Sequence, residues 1–275
     1  MAVLRRILLS WAIATAVLVP VSAQVVKSDG PKPQFEIATI RPDTSGEQGA
    51  QLGPRPGGRL IGTNQTVRNL IRNAFNVQPD QLLGGPDWMD SDRFDIQAKA
   101  ADADLNEKGM LSYPQFMLRL QSLLEDRFKM VTHWETRERP VYVLMVASAG
   151  KLGPNLKPHT GDCNRPPGTA PSPSAPATFC GTRFNPASGQ VTGAGITMET
   201  FSRNLSGGTG RYIIEKTGLT GAYDLELAYT PDQSATTTGP SLFTALQEQL
   251  GLRLDAQRAP IDVLVVDRVE RPTAD

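Results

Sequence analysis

The stretch Ser241–Thr273, SLFTALQEQLGLRLDAQRAPIDVLVVDRVERPT, decides how the whole chain is read. Leu242, Phe243, Leu246 and Leu250 fall on one face of a helix. Ser241 stands where a hydroxyl caps the first free N–H groups, and Gly251 stands where left-handed backbone ends a helix. Leu252 and Leu254 alternate with Arg253 and Asp255, the period of a strand. Ala259-Pro260 predicts a turn, and the β-branched run Ile261 to Val266 predicts a second, buried strand.

The same order occurs earlier, in LRLQSLLEDRFKMVTHWETRERPVYVLMVA (Leu118 to Ala147). Gln121 corresponds to Gln247, and Pro140 to Pro260, with the first hairpin turning at Arg137-Glu138-Arg139 and six residues longer than the second. Upstream, RFDIQAKA corresponds to AYDLELAY, with Asp95 against Asp224, and Thr66 corresponds to Thr197 ahead of two amphipathic stripes. Four elements recur in order with drifting offsets, as a duplication with altered loops would leave them. The expected fold class is α+β: two duplicated halves, each an antiparallel sheet with two helices on one face.

The ends and joints follow. Arg5 and Arg6 precede the apolar run Ile7 to Val19, and Val21-Ser22-Ala23 supplies small residues for signal peptidase. A membrane anchor is the competing reading, but the run is short for a span of about 20 residues and Pro20 ends it. The expected organisation is a signal peptide (1–23), a leader (24–33), an N-terminal half (34–149), a Pro-rich connector (150–186) and a C-terminal half (187–275). Cleavage after Ala23 makes the protein secreted or periplasmic, with no membrane span left afterwards. With 28 basic and 28 acidic residues, the chain has no basic footprint for nucleic acid.

Cys163 and Cys180 are the two cysteines, and in an exported chain they are expected to form a disulfide. Closing a loop of that size is worth about 3 kcal/mol in the chain-entropy model. Two cysteines with His159 alone make a poor zinc site, and His133 is the only other histidine. Asp87, Asp90, Asp92 and Asp95 gather around Trp88 without the spacing of a calcium loop, and read as a solvated turn. No G-x-S-x-G is present. Gly207-Gly208-Thr209-Gly210 and Lys216-Thr217-Gly218 lack the phosphate-loop order and read as turns. No catalytic, cofactor or metal residues are expected. Function is expected where the two halves differ, in the long first hairpin around His133 to Arg139 and in the Cys163–Cys180 loop, and Trp88, His133, Trp134, Glu135 and Arg137 are the candidate binding surface. Phe94-Asp95 and Tyr223-Asp224 are expected to share a packing duty, aromatic ring inward and Asp capping the adjacent glycine turn.

FEIATIRP, GGPDWMDSDRFDIQAKA, EKTGLTGAYDLELAYTPD and the two helix-and-strand stretches quoted above together resemble a soil-associated family of exported proteins abundant in acidobacteria, a domain of unknown function. The resemblance runs from about Phe35 to Thr273. It implies no catalytic residues. Relatives that resemble fusions to membrane sensor metallopeptidases imply a membrane-sensor partner. The order of elements is also loosely similar to the short periplasmic module of secretins, a likeness of fold alone. The function expected is a non-enzymatic module of the cell envelope binding a protein or small ligand, with strand edges open to β-addition. The alternative is an extracellular carboxylate-dependent hydrolase.

Overall fold

The computed structural model describes residues 32–46, 49–107, 109–161, 163, 180–185, 188–231 and 239–273. The expected signal peptide, nearly all of the leader, and residues 164–179 between the cysteines lie outside the described residues.

Helix placement follows the apolar stripes and their caps. Helix α1 (Val67–Phe75) buries Val67, Leu70, Ile71, Ala74 and Phe75; the Thr66 side chain accepts the Asn69 N–H at 3.1 Å, and Asn76 closes the helix in left-handed backbone. A single turn, α2 (Trp88–Ser91), follows. Helix α3 (Tyr113–Arg127) is capped by Ser112 and buries Phe116, Leu120, Leu123 and Leu124. Helix α4 (Met198–Thr209) repeats the α1 pattern, with Thr197 as cap and Met198, Phe201 and Leu205 inward. Helix α5 (Leu242–Ala245) widens into a π-helical turn over Leu246–Leu250, capped by Ser241 at one end and by left-handed Gly251 at the other.

The strands make three four-stranded sheets. One has the order β1 (Ile37–Pro42), β5 (Phe94–Lys99), β3 (Arg59–Gln65), β2 (Gln51–Arg55), all antiparallel. Another has the order β7 (Leu156–Pro158), β11 (Tyr223–Ala228), β9 (Gln190–Ile196), β8 (Gly181–Asn185), also antiparallel. Strands β7 and β8 come from residues expected to be connector. The central sheet has the order β10 (Ile213–Glu215), β6 (Val131–Val146), β12 (Leu252–Arg268), β4 (Leu82–Gly84). In it the two long strands run antiparallel, and each short outer strand runs parallel to its neighbour.

Two expectations are corrected. A mixed α/β molecule forms, but the sheets do not divide as one antiparallel sheet per half, because the central sheet takes strands from both parts of the chain. The predicted hairpins are also absent: β6 passes straight through Arg137-Glu138-Arg139 and β12 straight through Ala259-Pro260, so the six-residue offset is not a difference in hairpin length and lies mainly ahead of the two strands. Prolines inside long strands are tolerated for a reason visible in the ladder. The Tyr142 N–H points away from β12 and donates to the Tyr212 carbonyl at 2.9 Å. Pro140, two residues earlier, faces the same way, and β10 begins only opposite Tyr142. Its missing N–H therefore faces an edge with no strand to pair. Pro260 has the same relation to β4, which begins opposite Leu264.

These prolines also deny the edge to another chain. β-Addition at the middle of the central sheet is thus disfavoured. The double variant Pro140→Val with Pro260→Val restores both donors, and light scattering is expected to show concentration-dependent association beyond that of the wild type. Unchanged mass at high concentration would refute this role for the prolines.

The cores interlock through the same sheet. The first gathers α1, α3, Ile40, Leu60, Phe94 and Ile96, but also Leu264, Val266 and Val269 from the end of the chain. The second gathers α4, Leu225, Leu227, Leu246, Leu250 and Leu252, but also Leu144 of β6. Val141, Ile261 and Val263 form a third, separate cluster, on the opposite face of the central sheet from Leu144, Leu252 and Leu264.

Candidate functional site

Strand β9 must break its ladder before α4 can begin. Gly195 makes that break with φ +63°, and the pairing with β11 shifts register there, between Tyr223 and Leu225. The Gly195 N–H, turned out of the ladder, donates to Asp224 Oδ1 at 2.9 Å. Strand β3 does the same ahead of α1. Asn64 has φ +54°, and its N–H donates to Asp95 Oδ1 at 3.0 Å. The two aspartates thus do share a duty, with Phe94 and Tyr223 buried beside them. The duty is to satisfy a bulge on the neighbouring strand rather than to cap a glycine turn.

Asp224 has a further partner that Asp95 lacks. Strand β7 adds to the outer side of β11, opposing Pro158 to Tyr223, and the next N–H, that of His159, donates to the Ala222 carbonyl at 2.9 Å. This sets the imidazole against the carboxylate, with His159 Nδ1 2.6 Å from Asp224 Oδ1. That oxygen is also the acceptor for Gly195, so the ring nitrogen is the donor and carries the hydrogen. The other ring nitrogen, Nε2, then points at sulfur: Cys163 Sγ lies 3.3 Å away. Cys163 is bonded to Cys180, with Cα atoms 5.6 Å apart. The His159 side chain is only 5% exposed, while Cys163 is exposed and Cys180 half-buried.

The cluster is a disulfide with a buried imidazole on one sulfur and a carboxylate fixing that imidazole. His159 Nε2 and the two sulfurs lie within 4.8 Å of one another. Both sulfurs are engaged in their mutual bond, so in this state the chemistry on offer is that of a disulfide. Gly195 lies directly beneath: a Cβ built on it would collide with Cys163 Sγ and crowd the His159 ring. Gly195→Ala is expected to cost about 1–3 kcal/mol, since it combines left-handed backbone with this collision. It should also speed reduction of the disulfide by dithiothreitol. Thermal melts and a timed thiol assay check both, and wild-type values in each would sink the assignment.

Four of the five residues expected to form a binding surface lie along β6. Trp88 opens α2 against the first core, under the Arg271 guanidinium at 4.8 Å from the ring centre. Trp134 is partly buried on the core, edge-on to Phe75 at 6.4 Å. His133 is exposed and faces Asp267, with Nδ1 2.9 Å from Oδ2. Glu135 pairs with Arg137 along the same strand. Three of the four aspartates around Trp88 have separate partners: Asp90 meets Arg68 at 2.6 Å, Asp92 meets Arg271 at 2.8 Å, and Asp95 serves Asn64. In sequence His159 reads only as a poor zinc ligand, because its approach to Asp224 depends on a three-residue strand inside an irregular-looking stretch. The correspondence of Asp95 and Asp224 was the available signal.

Among the described residues no helix is long and apolar enough to cross a membrane. A family model described as Protein of unknown function (DUF3738) matches residues 68–269. No curated protein and no solved structure matches the chain.

Proposed function

The chain belongs to the DUF3738 family of proteins of unknown function, and from that premise we propose an exported, non-enzymatic binding module of the cell envelope, built on two copies of one unit. The supporting observation is a contrast between corresponding places. Asp95 and Asp224 satisfy the same bulge, but only Asp224 also holds His159, on which the Cys163 end of the disulfide rests. Scaffold features recur, whereas the cysteine-tied segment is an addition to the second unit. That segment is the recognition element, and its partner is an envelope protein, including a membrane-anchored sensor, or a small ligand. Export with cleavage after Ala23 accords with a disulfide in the mature chain, as does the narrower likeness to exported soil-associated proteins.

A carboxylate hydrolase would need two acids converging on one cleft. Asp90, Asp92 and Asp95 near Trp88 each face a separate donor instead.

Two measurements test this reading. The N-terminus of the exported protein is expected to begin at Gln24, and retention of residues 1–23 would overturn the export assignment. Cross-linking in intact envelopes, with residues 164–179 replaced by a short Gly-Ser linker as control, is expected to capture a partner only with the native segment. Equal capture by both forms, or turnover of an envelope polymer by the purified chain, would overturn the binding assignment.

A further inference from the structure

We propose that Cys163–Cys180 is an exchangeable, redox-active disulfide, with His159 stabilising the Cys163 thiolate on reduction and Asp224 positioning His159. The inference does not depend on what the intervening segment binds.

A disulfide that only staples a loop needs no polar group aimed at it. Here a histidine side chain 5% exposed is held by Asp224 at 2.6 Å and directs its free nitrogen to Cys163 Sγ at 3.3 Å. Asp95 satisfies its own bulge with neither histidine nor sulfur nearby, so the bulge does not require them. Burying an imidazole against a sulfur is therefore a separate feature with its own chemistry. Thiol–disulfide exchange is faster when the departing sulfur is stabilised as a thiolate, and an adjacent imidazolium is an established means of doing so. Cys180, the sulfur to be attacked, is only half-buried and Cys163 is exposed, so the bond is within reach of an external thiol.

The reaction balances with a dithiol as the co-reactant. One thiolate of the dithiol attacks Cys180 Sγ and forms a mixed disulfide. The S–S electron pair leaves on Cys163 Sγ, and the proton given up by the attacking thiol of the dithiol ends on His159 Nε2, which until then is the free ring nitrogen. The second thiol of the dithiol then attacks its own sulfur in the mixed disulfide, and Cys180 departs and takes up a proton. The dithiol is oxidised to its disulfide by two electrons, and the protein disulfide is reduced by the same two. The ion pair of thiolate and imidazolium favours the reduced form, so the protein is a better oxidant than a protein with an unassisted staple.

The test uses the full chain, reduced, desalted and pulsed with iodoacetamide, with each cysteine quantified by peptide mass spectrometry. At about pH 6 the wild type is expected to label Cys163 at least about tenfold faster than Cys180, and this preference should fall severalfold by about pH 9, where ordinary thiols ionise too. Different exposure of the two sulfurs would give a preference independent of pH. His159→Gln is expected to slow Cys163 labelling about tenfold at the lower pH, and Asp224→Asn to slow it less, with His133→Gln as an unaffected control. The equilibrium of the disulfide with dithiothreitol should shift about tenfold toward the oxidised form in His159→Gln. A pH-independent preference in the wild type, which needs no variant to fold, would overturn the proposal. So would wild-type exchange in a folded His159→Gln chain.

Discussion

Phe128→Ala is expected to lower the free energy of unfolding by about 3–5 kcal/mol, as truncation of a buried phenylalanine typically does when the cavity cannot close. Phe128 is fully buried where three parts of the molecule meet. It ends helix α3, its ring stands edge-on to Phe94 of β5 at 5.5 Å, and its carbonyl accepts the Glu270 N–H at 2.7 Å. The backbone contact pins the tail that follows β12, so the site has little freedom to collapse. Urea titration should show a lower midpoint with an unchanged slope. A loss under about 1 kcal/mol would mean that the first core refills the space, contrary to this packing.

The second large effect concerns a buried charge. Arg119 is 1% exposed, inside helix α3 and within the first core's envelope. Asp104 meets its guanidinium at 2.5 Å, and the Gln115 side chain accepts from it at 2.6 Å. Asp104→Asn removes the counter-ion and leaves the guanidinium out of water, which is expected to cost about 3 kcal/mol. Asp104 itself is exposed, so Arg119→Met does not strand it and is expected to cost much less. Joining the two substitutions should then recover most of the loss from Asp104→Asn, a non-additive result that chemical denaturation can read. Simple additivity would show that the pair acts as a solvent-screened surface bridge.

How much of this was legible depends on how far apart the cooperating residues lie. The stripes of α1, α3 and α4 and the Ser241 cap are contained within a few residues, and they stand where the pattern places them, while Thr66, Ser112 and Thr197 are further caps that the pattern does not single out. Pro140 and Pro260 were misread as turns, because the pattern records a missing donor but not the direction it would face. The mixed central sheet is not legible for a related reason: β4 is three residues, too short for periodicity, and β10, though readable as a strand within Arg211 to Glu215, pairs like β4 with a distant strand. Cys163–Cys180 was readable from count and compartment, and is present. His159 was not, since its role needs β7 to bring it beside Asp224. Trp88 looks buried in sequence, and both it and Trp134 pack partly buried on the first core.

The pairing of Leu82, Leu83 and Gly84 with Leu264, Val265 and Val266 has a consequence for how the molecule comes into being. A chain that emerges N-terminus first, from a ribosome or through a translocation pore, presents β4 long before its partner exists. The first core likewise waits for Leu264, Val266 and Val269. Pairings this distant in sequence slow folding and leave apolar surface uncovered meanwhile. Emergence of the last thirty or so residues is the event that lets both cores close, so until then the nascent chain is a client for whatever holds unfolded proteins in that compartment.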